Sequence, residues 1–147
     1  MEHRDDLQQG RAEPQLVFSC GDIWYGVPSD AVQEVVLFEE LTRVPAAPSH
    51  VLGVFPLRGE VFPVVDLSLL RGGKGEDSRR AVILRLAKGA LALTTGRLGG
   101  VSEVEGALEP AATNGAQRFF LGPGKAQQHE VYVVDVEGLF DFLTRPQ

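Results

Sequence analysis

Apolar residues in this chain come in short runs separated by turn-forming clusters, the signature of many short strands. Leu16-Val17-Phe18-Ser19-Cys20 meets Gly21-Asp22 and then Ile23-Trp24-Tyr25-Gly26-Val27, which predicts a hairpin. Pro28-Ser29-Asp30 offers a helix N-terminus. Ala31, Val32 and Val35 would share one side of about two turns, as a short helix or partly as strand. Thr42 to His50 holds Pro45 and Pro48, so it is extended and turn-forming. Residues 51–69, VLGVFPLRGEVFPVVDLSL, write a strand, a turn at Leu57-Arg58-Gly59-Glu60 and a second strand in one line.

Arg71 to Ser78, rich in glycine and charge, reads as a flexible loop. Ala81–Ala87 and Ala90–Thr95 are strands around a Lys88-Gly89 turn, and Val101–Val104 is another. Residues 105–129 are weakly patterned around Phe119-Phe120-Leu121. Val131 to Asp135 reads as a buried strand, and Glu137–Leu143 as a terminal helix packing Leu139, Phe140 and Leu143. The expectation is a mainly β fold, a barrel or sandwich. A doubly wound α/β fold would need helices between strands, and the pattern supplies none. Residues 1–14 read as a disordered polar tail and 15–147 as one folded domain.

At 147 residues, the chain has the length of one domain or of two small lobes. Its net charge of −6 lacks the basic footprint that nucleic-acid binding requires. No apolar run reaches the roughly 18 residues of a membrane-spanning helix, and the charged start carries no secretory h-region. The expected location is cytoplasmic.

Candidate reaction chemistry is thin. Cys20, the single cysteine, ends an apolar strand, where cysteine behaves as a small hydrophobe. A small enzyme using Cys20 or Asp66, with His50 or His129, is imaginable, but no nucleophile elbow surrounds any of them. The histidines His3, His50 and His129 have no metal-ligand spacing, and His50 and His129 fall in expected loops as solvated imidazoles. Gly73-Lys74 and Gly124-Lys125 lack the Ser or Thr and the earlier Gly of a phosphate loop, and read as flexible loops. No catalytic residue, cofactor or metal is expected.

Arg58 and Glu34 stand out instead. Arg58 is a lone cation on an apolar hairpin tip, and Glu34 lies in a segment that is apolar on both sides. Paired and half-buried, they would cost on the order of 3 kcal/mol to separate. Paired and exposed, they would contribute about 0–1 kcal/mol.

Taken in order, these motifs resemble the CheW family of chemotaxis coupling proteins. The matching pieces are Phe18, Gly21 and Tyr25-Gly26-Val27, then Val32-Gln33-Glu34-Val35 and Thr42-Arg43-Val44-Pro45 with Ala47-Pro48. Gly53-Val54, Leu57-Arg58-Gly59 and Pro63-Val64-Val65-Asp66-Leu67 form the hallmark core, with Gly100-Val101-Ser102-Glu103-Val104 and Val131–Leu143 following. The resemblance covers about residues 16–143. Among variants of the family, the sequence resembles coupling proteins of the Frz type from gliding myxobacteria.

The resemblance implies two intertwined five-stranded SH3-like barrels sharing a core, no catalysis, and a scaffold's role in motility signalling. It implies an adaptor joining the cytoplasmic tip of a methyl-accepting chemoreceptor to the regulatory domain of a CheA-type histidine kinase. It also implies a receptor-binding groove between the barrels, using Val32, Glu34, Val54, Leu57, Arg58, Gly59 and Ala81, with the Ala81–Leu84 strand beside them. Departures occur at Pro56 (usually Asn), Ser68 (commonly Arg), Gly99 (Asp) and the Gly96-Arg97 interruption, and residues 105–130 look short. Most of them lie away from the receptor matches, so receptor binding is expected to survive while kinase contacts are weakened or specialised. A receptor-binding modulator without stable kinase binding is the alternative.

Overall fold

The computed structural model describes residues 13–106 and 108–145. Most of the expected disordered tail therefore lies outside the described residues. Its last residue belongs to the fold, since the Pro14 carbonyl accepts the Ser29 N–H at 3.0 Å.

Ten strands are present among the described residues: β1 Gln15–Cys20, β2 Ile23–Pro28, β3 Val32–Leu37, β4 Val51–Leu57, β5 Glu60–Val65, β6 Arg80–Leu86, β7 Gly89–Thr95, β8 Leu98–Ser102, β9 Phe120–Ala126 and β10 His129–Val134. They form two five-stranded sheets, ordered β8-β1-β2-β10-β9 and β3-β6-β7-β5-β4. Two helices, α1 Leu67–Leu70 and α2 Val136–Thr144, complete the fold with single turns of 3₁₀ helix. The fold is mainly β, with five-stranded lobes as expected.

The chain separates into two compact units. Among the described residues, one combines those up to Phe18 with Trp24–Asp30 and those from Leu98 onward; the other is Ser19–Ile23 with Ala31–Arg97. In the first, Val17, Val104, Ala126, Val131 and Val133 form a buried cluster. Tyr25 there lies between Phe18 and Phe120, with ring centroids 6.1 and 5.8 Å away. In the second, Phe38, Phe55 and Phe62 pack in a row as tilted rings, with centroids 5.6 and 5.8 Å apart, in one buried cluster with Val64, Ala81, Ile83 and Ala92. Alternating inward residues of β4, β5 and β6 supply this core, as the period of a pleated strand requires.

Several sequence expectations are corrected. The segment Ala31–Val35, open between a short helix and partly strand, is one 3₁₀ turn, Ser29–Ala31, followed by β3. Exposure along β3 alternates residue by residue, and β-branched Val32, Val35 and Val36 favour extended backbone. The strand expected at Val101–Val104 begins earlier, at Leu98, hidden by Gly99-Gly100. Within 105–129, β9 was illegible because Gly122-Pro123-Gly124 lacks any strand signal. Gly124 is needed there, since a Cβ would come within 2.7 Å of the Glu105 carbonyl oxygen as the chain crosses β9. Gly124-Lys125 is therefore strand, not a flexible loop.

The segment 71–78 is tied down rather than free. The Glu76 N–H donates to Asp66 Oδ2 at 2.8 Å, and the Glu76 carboxylate accepts the N–H groups of Gly21 (2.9 Å) and Ser78 (3.1 Å). Asp66 also caps α1, accepting the Leu69 N–H at 2.9 Å. At the C-terminal helix, Val136 and Leu139 are the buried residues, while Phe140 and Leu143 are half-buried. Phe142 packs on Phe119 at 5.4 Å instead.

Candidate functional site

The β4–β5 turn carries the expected cation in an unusual backbone. Leu57 and Glu60 are register partners, and the two residues between them both have positive φ, +51° at Arg58 and +86° at Gly59. Left-handed backbone at both central positions is the type I′ pattern, whose twist matches that of the flanking strands. Asn or Gly is favoured at the first position, and an L side chain there costs on the order of 1 kcal/mol. At Gly59 no neighbour lies within 4 Å of a Cβ position, so only the backbone angle calls for glycine.

The Arg58 guanidinium donates to the Glu34 carboxylate, joining the hairpin tip to β3. Their side chains are 63% and 28% exposed, so the pair lies on the surface. It contributes about 0–1 kcal/mol to the fold. Its chemistry is available at the surface.

Around this pair the structure sorts the remaining candidates. Val54 is half-buried, opposite Pro63, and forms a bridge with Thr42 that covers the open side of β4. Leu57 is half-buried and packs its side chain on the phenylalanine core. Val32 is half-buried and paired with Leu84. Ala81 is fully buried in the core cluster, so it presents no side chain at the surface. Its register partner on β3 is Val36.

Three further residues complete the surface, and the sequence reading passed over them. Arg85 Nη1 and Nη2 grip both Glu60 carboxylate oxygens at 2.7 and 2.8 Å, while Nε and Nη2 donate to Gln33 Oε1 at 3.1 and 2.8 Å. The Glu60 carboxyl is held below its usual value of 4.5 by the hydrogen bonds and charge of Arg85. Gln33 Nε2 donates in turn to Glu34 Oε2 at 2.9 Å. One signal was readable: Arg85 is the single charge inside an otherwise apolar run, Ala81–Ala87.

A second exposed feature lies in the same unit. Leu37 is 72% exposed and Val61 64% exposed, although both sit on strands. Exposed Pro56 is the register partner of Val61, and it lines a shallow pocket with Leu37. Glu39 and Glu40 stand at the same pocket, so the apolar strip is bordered by acid.

Cys20 and Asp66 form no accessible reaction centre. Cys20 is fully buried, with Sγ 3.3 Å from Asp66 Oδ1 and 3.5 Å from Thr94 Oγ1. Burial pushes its thiol up to about 11, which disfavours the nucleophilic thiolate. Asp66 already accepts bonds from Leu69 and Glu76 N–H groups and from the Thr94 hydroxyl. His129 is not simply solvated; it stacks on Trp24 with ring centroids 4.0 Å apart. Half-buried His50 has its imidazole shifted down by desolvation. Among the described residues no group of three or more His, Cys, Asp or Glu is placed to hold a metal ion, and no helix is long and apolar enough to cross a membrane.

Comparison with known proteins agrees with the motif order. Residues 15–143 match the CheW-like domain family. The chain is 44% identical over 63 residues to the chemotaxis protein CheW of Helicobacter pylori, a match covering 43% of this chain and 38% of that protein. It is 47% identical over 66 residues to Protein FrzA of Myxococcus xanthus, covering 43% of this chain and 41% of that protein. These two matches thus span about two fifths of each relative. The chemotaxis protein CheW of Klebsiella aerogenes is 26% identical over 134 residues, covering 84% of this chain and 79% of that protein. Among solved structures, the scaffolding protein TtCheW from Thermoanaerobacter tengcongensis superposes with a TM-score of 0.69 at 26% identity, over 83% of this chain and 88% of that one.

Proposed function

The chain belongs to the CheW-like domain family, and on that premise we propose that it is a non-enzymatic, cytoplasmic coupling adaptor of a chemosensory pathway. It binds the cytoplasmic tip of a methyl-accepting chemoreceptor and links it to the regulatory domain of a CheA-type histidine kinase. The observation that carries this reading is the Glu34–Arg58 ion pair, exposed on the type I′ tip of the β4–β5 hairpin beside half-buried Leu57. A helical hairpin presents an apolar face and a few charges. An exposed ion pair on a strand-turn-strand tip suits such a partner, because burial of neighbouring aliphatic surface supplies affinity and the charges set register.

The apolar strip of Leu37, Pro56 and Val61 supports the adaptor over a receptor-binding modulator that leaves the kinase alone. Contiguous exposed aliphatic residues on strands mark a surface for a protein partner. Leu57 lines the same pocket, so the strip adjoins the ion-pair tip and offers a second partner a place beside the first. We assign the ion-pair surface to the receptor and the apolar strip to the kinase regulatory domain.

The test is separate titration of the purified protein with a soluble receptor-tip fragment and with a kinase regulatory domain. Binding to both, with Leu37→Asp weakening only the kinase and Arg58→Glu only the receptor, supports the assignment. Tight kinase binding without receptor binding overturns it.

A further inference from the structure

The ion pair at the hairpin tip is one end of a run of bonded side chains that the hairpin backbone closes into a ring. Arg58 donates to Glu34, and Gln33 Nε2 donates to the same carboxylate. Gln33 Oε1 accepts two bonds from Arg85, whose guanidinium also grips Glu60 and lies 5.7 Å over the Phe62 ring. Glu60 is the register partner of Leu57, immediately past the turn that bears Arg58. The ring therefore leaves the hairpin at Arg58, crosses β3 and β6, and returns at Glu60.

Gln33 is the one uncharged member, and a strand irregularity places it there. The β3–β6 register shifts between Val32 and Glu34, so Gln33 has no partner opposite it on β6. An amide is the side chain that suits this position, because it donates toward a carboxylate and accepts from a guanidinium at once. A carboxylate at 33 would face Glu34 with like charge, and an aliphatic residue would leave both ion pairs separate.

We propose that Gln33 is a positioning residue of the partner-binding surface: its carboxamide relays between the Arg85–Glu60 and Glu34–Arg58 pairs and so fixes where Arg58 is presented. This rests on the reading of Arg58 as a receptor contact. Each long side chain left free must be ordered when a partner docks, and a preformed ring removes that cost from binding. The ring carries two cations and two anions, so it sets geometry without adding net charge to the surface.

Two measurements on the full chain test the relay. In the first, a soluble receptor-tip fragment is titrated calorimetrically against wild type, Gln33→Leu, Gln33→Glu, Arg58→Ala and Gln33→Leu/Arg58→Ala, with a melt of each. Gln33→Leu and Gln33→Glu should each weaken binding about three- to ten-fold, with little change in melting temperature. Gln33→Leu should have no further effect once Arg58 is Ala. An equal loss in both backgrounds, or no loss in either, overturns the proposal. The second needs no partner: Arg85 Nε–H exchange, followed by NMR, should accelerate in Gln33→Leu, and unchanged exchange also overturns the relay. Absence of receptor binding by wild type would sink the functional reading, while the exchange measurement would still decide the ring.

Discussion

The Cys20 thiol and the Asp66 carboxylate face each other at 3.3 Å in the interior of the second unit, with Thr94 bonded to the same carboxylate. Such a pair could suggest a nucleophile and its base. Here the thiol is shielded, and the carboxylate organises backbone: it caps α1 and holds the N–H of Glu76. The arrangement is structural, and its consequences can be measured.

Cys20 should be inert to a thiol reagent in the native protein and react at once in denaturant. With its folded value near 11 against an ordinary 9.0, the buried neutral thiol favours folding below about pH 9. That contribution, on the order of 3 kcal/mol, should fade as pH rises from 9 towards 11. Denaturation midpoints of wild type and Cys20→Ala across that range check it, since the alanine variant should lose the difference.

Asp66→Ala should destabilise the fold by about 2–4 kcal/mol, because it removes a helix cap and leaves the Glu76 N–H and the Thr94 hydroxyl without their acceptor. Urea denaturation gives the magnitude. Asp66→Asn, which keeps one carbonyl acceptor, should lose less.

At the hairpin tip, stability and function should part. Arg58→Asn places a favoured residue in the first type I′ position and should raise stability by about 0.5–1 kcal/mol while weakening receptor binding. Paired melts and titrations of this variant separate the two effects. A variant both less stable and fully competent to bind would contradict the account.

Glu60 should titrate below the ordinary carboxylate range in the native protein, and Arg85→Gln should return it to that range. Because the folded value is lowered, the pair favours folding above about pH 4.5 and loses that contribution as pH falls through the depressed value. Carbonyl-detected NMR titration of Glu60 reads it directly.

The Arg58–Gly59 turn and the Glu34 partnership were legible in the sequence for local reasons. Leu-Arg-Gly-Glu between two apolar β runs leaves a turn as its only sensible reading, and Glu34 stands out as a charge in a segment that is apolar on both sides. The β3 strand was harder, since Val32, Val35 and Val36 satisfy helical and extended spacing alike until the sheet decides. Strand β9 was hidden because its glycines serve the chain crossing at Glu105, a tertiary requirement with no local trace. The Gln33–Arg85–Glu60 half of the ring depends on a register shift, which no spacing rule encodes. Ala81 shows the opposite limit: motif matching placed it in a binding set, while burial places its side chain in the core.

If the exposed Glu34–Arg58 pair is a partner-binding device with little part in holding the fold, binding and folding separate when its charge is reversed. Titration of a soluble receptor-tip fragment with Arg58→Glu, alongside a thermal melt, tests it most directly. The account predicts that binding is lost while the melting temperature stays within a few degrees of wild type, as removal of a surface pair should leave it. Retained binding, or loss of binding together with loss of the folded state, would contradict it.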